Sequence, residues 1–348
     1  MTPPTKHDLT SVPATDPTLL YHYRDALYAA DMLIAGLHLD LFSWLAARPS
    51  SVAVICDTFR LAHRPADVML TLFTAMGLLE QRAGIFAVTD AAREHLVKGS
   101  PWFLGPYYPP IDERPAAREL LQVLHTGRPA SWSGGKDGKD WHTSMESEDF
   151  AVAFTAAMDS RGVYLGQSVA NAVNLDRHRH VLDIGGGSGV YACALVARFP
   201  HLRATVLDKP PVDRIAAAAI ETRGLSARVA VVASDMLTAP IPAIDDVDVH
   251  LFSNVLHDWD EPVVKTLLGK SFAALTRGGI VIVHGAHLNR EKTGPLHVAE
   301  YSVMLMHASE GRCYSIGEIE RYLADAGFSD FTFAPVGAAR SIITGRKL

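Results

Sequence analysis

The feature that most constrains this chain is a short apolar segment, residues 181–184, which runs directly into the glycine-rich sequence 185–189. A helical pattern follows, and a second apolar run at 204–207 ends in Asp208. Glycines allow a sharp turn and a close approach of the backbone to a ligand, and the start of the helix offers free N–H groups. The pattern predicts a strand, turn, helix and strand that bind a nucleoside, with Asp208, roughly 20 residues beyond the glycines, on the ribose hydroxyls.

The acidic residue before the glycines restricts which ligand the loop can bind. A dinucleotide fingerprint reads G-x-G-x-x-G, whereas this loop reads G-G-G-S-G after Asp183. A carboxylate at that position attracts an ammonium group and repels a pyrophosphate. S-adenosylmethionine has an amino group and a sulfonium but no phosphate, so it fits better than a dinucleotide. The alternative is a structural turn that binds nothing.

Composition excludes several classes of protein. The 348 residues are enough for two domains, and 48% hydrophobic with 20% charged residues is typical of a globular chain. A net charge of −6 without a long basic run argues against nucleic acid as the main partner. Cys56, Cys193 and Cys313 are scattered, which indicates a reducing compartment and no cysteine metal site. With no signal-like or membrane-spanning segment recognised, we expect a cytoplasmic protein without membrane partners.

Four segments follow from the pattern along the chain. Residues 1–18 read as a flexible tail, 19–100 as a helical domain, 101–175 as connecting helices that line a substrate pocket, and 176–348 as a nucleotide-binding domain. Within 19–100, two short helices followed by the strand 85–88 match a winged helix. Its second helix, 66–72, lacks the side chains that read bases, so a dimerisation role is preferred to DNA binding.

Strands and helices alternate from His180 to the end of the sequence. This alternation predicts a Rossmann-like α/β fold, a doubly wound and mostly parallel seven-stranded sheet. The last two strands are joined by a short turn, so they should form a hairpin with an antiparallel strand at the edge. The predicted strands are 180–184, 203–207, 228–233, 247–253, 279–284, 330–334 and 340–345.

Four motifs taken together resemble the S-adenosylmethionine-dependent small-molecule O-methyltransferases. These motifs are the Asp183 glycine loop, Leu-Asp-Lys-Pro at 207–210, Ser-Asp-Met at 234–236 and Leu-His-Asp-Trp at 256–259. The family includes plant caffeate enzymes, acetylserotonin enzymes and bacterial tailoring enzymes of secondary metabolism. The resemblance extends from about Tyr21 onwards and implies a homodimer formed by the N-terminal domain.

The resemblance also implies roles for individual residues. Asp183 and Gly185 lie at the methionine end of the cofactor, Asp208 binds the ribose, Asp235 and Met236 flank the adenine, and Trp259 closes over it. Gly187 and Ser253 complete the expected cofactor-binding set. His257 is the expected general base, which removes the proton from an aromatic hydroxyl so that the oxygen attacks the methyl group. The candidate substrate-contacting residues are Phe154, Met158, Met304, His307 and Tyr314.

Two departures from the family leave alternatives open. The plant enzymes orient the histidine with two glutamates, and this chain has Gly285 and Cys313 at those positions. Transfer to carbon of an activated ring or 2-oxo acid is therefore an alternative, as is a cofactor-binding homologue that transfers no methyl group. A winged-helix regulator is disfavoured. His257, Asp258 and His307 resemble an iron triad, but such a histidine also occurs in metal-free relatives, so no metal is predicted.

Overall fold

A computed structural model describes Leu9, Pro13, residues 15–130 and residues 141–348, except the side chain of Trp141. Most of the predicted tail therefore lies outside the described residues. The helices are α1 (Thr18–Asp25), α2 (Ala29–His38), α3 (Leu41–Ala47), α4 (Val52–Phe59), α5 (His63–Ala75), α6 (Asp90–His95), α7 (Pro115–Thr126), α8 (Trp141–Ser144), α9 (Glu148–Ala172), α10 (Val190–Arg198), α11 (Val212–Thr222), α12 (Glu261–Ala274), α13 (Leu296–Ala308) and α14 (Ile316–Ala326). The strands are β1 (Ser50–Ser51), β2 (Leu79–Arg82), β3 (Ile85–Val88), β4 (His180–Ile184), β5 (Arg203–Asp208), β6 (Val229–Ala233), β7 (Val249–Ser253), β8 (Ile280–Gly285), β9 (Ser329–Val336) and β10 (Arg340–Arg346).

The chain divides into two compact units, each made of separate stretches of sequence. The first contains Gly134–Ala286 and Ile316–Leu348 together with Met1–Leu19, and the second contains Leu20–Ser133 and His287–Ser315. The 287–315 segment thus departs from the predicted 176–348 domain. It belongs to the second unit because α13 packs against α2, α5 and α7.

The second unit combines helices with a small antiparallel sheet. Within residues 15–130, three strands pair in the order β1-β3-β2. The hydroxyl of Thr89 accepts a hydrogen bond from the backbone N–H of Ala92 and so caps α6, as its position before the helix predicts. Helix α5 contains the predicted segment 66–72, and most of its length is buried, from Pro65 and Ala66 through Val68 to Phe73.

The first unit is built on a seven-stranded sheet within residues 141–348. The strand order is β6-β5-β4-β7-β8-β10-β9, in which β6, β5, β4, β7 and β8 are parallel. All seven predicted strands are present, with ends that differ by no more than two residues from the predicted ones. The predicted class, a mostly parallel doubly wound sheet that ends in an antiparallel hairpin, is confirmed.

One detail of the sheet was predicted wrongly. The antiparallel strand is β10, which pairs with both β8 and β9, so it lies one position inside the edge. Side chains on β10 are almost all buried, including Ile342 and Ile343, whereas β9 is largely part-exposed or exposed. In the interior position β10 pairs on both sides, with β8 and with β9, and its two isoleucines are buried.

Among the described residues, no single helix is both long enough and apolar enough to cross a bilayer. One pair of helical segments, Thr18–His38 and Leu41–Ala47, meets the length and composition criteria when the two are taken together, but the pair is bent by 58°.

Candidate functional site

The glycine turn leaves β4 and enters α10 with left-handed backbone angles. Gly187 has a φ of +57°, and a Cβ built there meets no atom of the described residues within 4 Å. A Cβ at Gly186 would instead approach the carboxylate of Asp183 to 2.8 Å, which is too close. The loop is therefore closed on the side of Asp183 and open at Gly187, where a ligand has room to approach the backbone.

Asp183 is a buried carboxyl group at the carboxyl end of β4. It has no exposed surface, and none of its oxygens has a side-chain partner among the described residues. Burial raises its pKa to about 7; the nearby charge of Asp208 adds to the effect and the backbone N–H of Ala192 opposes it. A buried carboxylate of this kind is stabilised by a cation, so the residue suits the ammonium group of an amino-acid ligand.

Asp208 ties the end of β5 to the glycine turn. Its Oδ2 accepts the N–H of Gly187 at 2.8 Å, and its Oδ1 accepts the N–H of Lys209 at 2.8 Å. Burial raises the pKa of Asp208 to about 6, and these two hydrogen bonds act in the opposite direction. Each carboxylate oxygen has further lone pairs, so the group retains acceptor capacity for ribose hydroxyls.

The loop after β6 brings the third predicted motif to the same end of the sheet, where the carboxyl ends of the parallel strands lie. Asp235 Oδ1 accepts the N–H of Leu237 at 2.8 Å, and the Sδ of Met236 lies 3.5 Å from the Cβ position of Gly185. The structure thus brings Asp183, Gly185, Gly187, Asp208 and Met236 together at the carboxyl ends of neighbouring parallel strands, where open α/β sheets bind ligands.

Trp259 is connected to this group by a histidine that the sequence did not single out. The rings of His142 and Trp259 lie 5.2 Å apart, edge to face. The ammonium of Lys209, the residue after Asp208, donates to the carbonyl of His142 at 3.1 Å. Helix α8 therefore lies beside both predicted motifs.

His257 lies in a single 3₁₀ turn that follows β7, and it is 7% exposed. The Cβ position of Gly285, at the end of β8, is 3.8 Å from its Nδ1. A side chain at position 285 would therefore face the imidazole. Next to His257, burial raises the pKa of Asp258 to about 7, and the positive charge of Arg161 opposes that rise.

Ser253 belongs to a buried polar network below the site. Its hydroxyl is 2.7 Å from Nδ1 of His284. The neighbouring Asn254 donates through Nδ2 to the hydroxyl of Tyr191 on α10 at 2.9 Å, and the Tyr191 ring lies 5.4 Å from the His284 ring. The network links the ends of β7 and β8 to the helix that follows the glycine turn.

The candidate substrate-contacting residues divide between the two units. Phe154 on α9 packs against a cluster that contains Met145, Ala151 and Val212, and Met158 is half-buried on the same helix. These contacts give Phe154 a packing role whether or not it also contacts a substrate.

The other three candidates lie in the second unit. The Sδ of Met304 contacts the guanidinium of Arg24. The Nε2 of His307 is 2.8 Å from a Glu119 carboxylate oxygen, and its ring stacks on Tyr28 at 4.4 Å. Tyr314 is buried beneath the guanidinium of Arg312 at 4.7 Å. No group of three or more histidine, cysteine, aspartate or glutamate side chains in the described ranges is arranged to hold a metal ion.

Two further contacts were not foreseen. Asp159, the residue after Met158, accepts the hydroxyl of Ser188 at 2.5 Å and the guanidinium of Arg223 at 2.5 Å. The ammonium of Lys270 on α12 binds the loop after β6. For Asp159, the only indication in the sequence was that it follows Met158, a predicted substrate-contacting residue. For Lys270 there was none, because its partners lie more than thirty positions earlier in the sequence.

Comparison with known proteins gives four matches that all concern methyltransferases. The model of the O-methyltransferase domain family matches residues 118–329. The chain is 30% identical to a 3-hydroxy-5-methyl-1-naphthoate 3-O-methyltransferase of Streptomyces sahachiroi, over 95% of each chain, and 29% identical to an L-tyrosine C(3)-methyltransferase of Streptomyces lavendulae, over 88% of this chain and 85% of that one. The crystal structure of an O-methyltransferase family 2 protein from Planctomyces limnophilus in complex with apigenin is similar at a TM-score of 0.87 and 30% identity, covering 98% and 99% of the two chains.

Proposed function

The chain belongs to the O-methyltransferase family, and from that membership we propose that it transfers a methyl group from S-adenosylmethionine to a hydroxyl of an aromatic small molecule in natural-product tailoring. The observation that carries the proposal is the pairing of a buried, cation-seeking carboxylate, Asp183, with a glycine turn that is open at Gly187. The relative that acts on a hydroxynaphthoate and the relative bound to apigenin support an aromatic acceptor.

The residues at the sheet edge fit the cofactor in chemical character. We assign Asp183 to its ammonium group, Asp208 to the ribose hydroxyls, and Asp235 with Met236 to the adenine; Gly185, Gly187, Ser253 and Trp259 complete the site. The cofactor supplies a methyl group already activated on a sulfonium. The protein's task is therefore to hold the acceptor oxygen in line and to remove its proton.

We assign proton removal to His257. An ordinary imidazole pKa lies near working pH, which suits a base. The acceptor is assigned to residues that include Phe154, Met158, Met304, His307 and Tyr314. Position 285 is a glycine and supplies no carboxylate to Nδ1, so we propose acceptors with acidic hydroxyls, such as hydroxylated aromatic acids.

A second candidate is transfer to carbon. The similarity to an L-tyrosine C(3)-methyltransferase favours it, as does the glycine at position 285. A ring carbon activated by its own hydroxyl depends less on an oriented base than a neutral hydroxyl does.

We also propose a homodimer formed through a winged-helix-like N-terminal domain. Three large apolar residues, Leu20, Tyr23 and Leu27, follow one another at intervals of three and four residues and are 63–72% exposed. Leu20 and Tyr23 are three residues apart on α1 and share one face of that helix, and Leu27 lies in the turn that follows. Exposed apolar residues grouped in this way favour contact with another protein surface. A DNA-binding role is not proposed, because most of the segment 66–72 is buried in α5.

The experiment is a methyl-transfer assay read by mass spectrometry with panels of hydroxylated aromatic acids, flavonoids and 2-oxo acids. The wild type is expected to add 14 Da at a hydroxyl (about one CH₂, the net change of any methyl transfer) and to release S-adenosylhomocysteine. His257→Ala is expected to lower kcat at least about 100-fold, the size of a typical general-base contribution. The exposed His38 provides the control His38→Ala, which should behave as wild type.

The outcomes separate the two candidates. Methylation at carbon that persists in His257→Ala would replace O-transfer by C-transfer. Cofactor binding without product from any panel would point to a homologue that does not transfer methyl groups. Absence of S-adenosylhomocysteine binding would overturn the proposal as a whole.

A further inference from the structure

Lys270 makes an unusual set of contacts for a lysine on a surface helix. Its Nζ donates to the backbone carbonyls of Met236 at 2.9 Å, Leu237 at 2.8 Å and Ala239 at 2.8 Å. An ammonium has three hydrogens, and these three bonds use all of them. All three hydrogen bonds of the Lys270 ammonium thus go to one short loop, residues 236–239.

That loop is a single turn between β6 and the residues that lead to β7. At its start, the N–H of Ser234 donates to the carbonyl of Asp208 at 3.0 Å. Inside it, the N–H of Leu237 donates to Asp235 Oδ1, and the N–H of Ala239 donates to the Asp235 carbonyl at 2.9 Å. The carbonyls of Met236, Leu237 and Ala239 are the groups that accept hydrogen bonds from Lys270.

The energetic consequence is rigidity of this turn. Charge-assisted hydrogen bonds to carbonyls contribute more than neutral ones, and partial burial limits screening by solvent. Three carbonyls that converge on one ammonium repel one another when the ammonium is removed. The turn would then open, and two side chains would lose their fixed positions: that of Asp235, which accepts from Leu237, and that of Met236, which lies beside Gly185.

We propose that Lys270 is a positioning residue for the cofactor, one that holds Asp235 and Met236 where they bind the adenine. This inference rests on the proposed function, since it takes the loop after β6 as the adenine side of the site. The three hydrogen bonds of the Lys270 ammonium all go to backbone carbonyls of the loop. The transferred methyl group is at the far end of the cofactor from the adenine, so loss of Lys270 should weaken binding far more than it slows chemistry.

The test compares Lys270→Met, Lys270→Arg and the wild type by calorimetric titration with S-adenosylhomocysteine. Methionine keeps the length and apolar stem but removes the charge. We expect its Kd to rise at least about tenfold, while the KM for S-adenosylmethionine rises equally and kcat stays within about twofold. Arginine keeps the charge but has a planar fork that cannot meet three converging carbonyls, so its Kd should lie between the other two.

The matched control is Lys265→Met on the same helix. Lys265 pairs with Glu261 at 2.7 Å and is 42% exposed, so its loss should leave Kd unchanged. A wild-type Kd in Lys270→Met, with only a lower Tm, would overturn the inference and leave the proposed function standing. If the methionine variant does not fold, an unchanged Kd in Lys270→Arg overturns it. Failure of the wild type to bind would overturn both.

Discussion

At the scale of single residues, the position beside the candidate base is a glycine where the family resemblance leads us to expect a glutamate. Gly285 does not have a left-handed φ, and within the described part of the chain its Cβ position meets only His257 Nδ1, at 3.8 Å. Position 285 therefore accepts a side chain without backbone strain. The absence of a carboxylate there is a property of the sequence, and the local space does not impose it.

Gly285→Glu is expected to place a carboxylate against the imidazole. A nearby negative charge favours the protonated ring, so the pKa of His257 should rise and the acidic limb of the kcat pH profile should move to higher pH. Above that limb, better orientation should raise O-methylation several-fold. Gly285→Ala controls for bulk, and a glutamate profile that coincides with the alanine profile would contradict this prediction.

Because Asp183 is buried, we predict that its ionised form lowers the stability of the folded protein but strengthens binding of the cofactor. Its pKa is about 7 in the folded protein and 3.8 in the reference state, so the folded protein holds an extra proton between those values. The free energy of unfolding should therefore fall as pH rises from about 4 to about 7, by up to about 4 kcal/mol at about 1.4 kcal/mol per pH unit.

Asp183→Asn removes that penalty and also the partner of the cofactor ammonium. Its Tm should exceed that of the wild type at pH 8 and come close to it near pH 4, while S-adenosylhomocysteine binds at least about 100-fold more weakly at pH 8. Differential scanning calorimetry and titration at both pH values measure this. An equal difference in Tm at the two pH values would show that Asp183 is already ionised or already paired.

Residue-level prediction from sequence worked where function depends on local order. Asp183, Asp208 and the glycines are found at one sheet edge because each directly follows an apolar strand, and parallel strands end together. Lys270 and Asp159 were not predicted, because their partners are distant in sequence and a lone lysine or aspartate on a helix has no distinguishing pattern.

At the scale of elements, the contact of α5 with α13 joins distant parts of the second unit. The carboxylate of Asp67 on α5 pairs with Lys292 before α13 and with Arg312 after it, the latter at 2.9 Å. Arg64, one turn earlier, donates to the carbonyls of Ser309, Gly311 and Gly127. Polar contacts thus bracket an apolar helix–helix interface.

Asp67→Ala is expected to destabilise the second unit by about 2–3 kcal/mol, because it leaves two part-buried cations facing each other; full burial would cost more. Thermal unfolding followed by circular dichroism should show a Tm lower by about 5 °C. Glu80→Ala is the control, since Glu80 pairs with Arg82 on the surface and such pairs contribute about 0–1 kcal/mol. Equal shifts in the two variants would contradict the bracketing role of Asp67.

Elements were predicted more completely than their arrangement. Buried apolar runs bounded by turns identify β4 to β10, but the sequence does not state which strand of a hairpin lies at the edge. The exposure of β9 and the burial of β10 decide it. In the same way, the helical pattern identifies α13, whereas only its packing on α5 assigns it to the second unit.

At the scale of the whole molecule, the exposed apolar residues Leu20 and Tyr23 on α1, and Leu27 in the turn after it, bear on the proposed assembly. Isolated apolar residues on a surface are ordinary, but three large ones so close together support the proposed contact with a second copy.

The double variant Leu20→Asp with Leu27→Asp is expected to convert a dimer into a monomer. Light scattering after gel filtration should give the mass of one chain, 37.7 kDa, in place of twice that mass. Phe333→Asp, which changes an exposed aromatic residue on β9, should leave the mass unchanged. A wild type that already elutes as one chain would refute the dimer.

The interior position of β10 has a consequence for how the chain is made. During synthesis on a ribosome, β4 to β8 emerge before residues 340–346. The backbone groups of β8 that pair with β10 therefore remain unpaired until β10 has been synthesised. An open strand edge is a template for pairing with other chains. The interval between the synthesis of β8 and of β10 is therefore the period in which a nascent chain most needs protection, and a stop codon before residue 340 would make that exposure permanent.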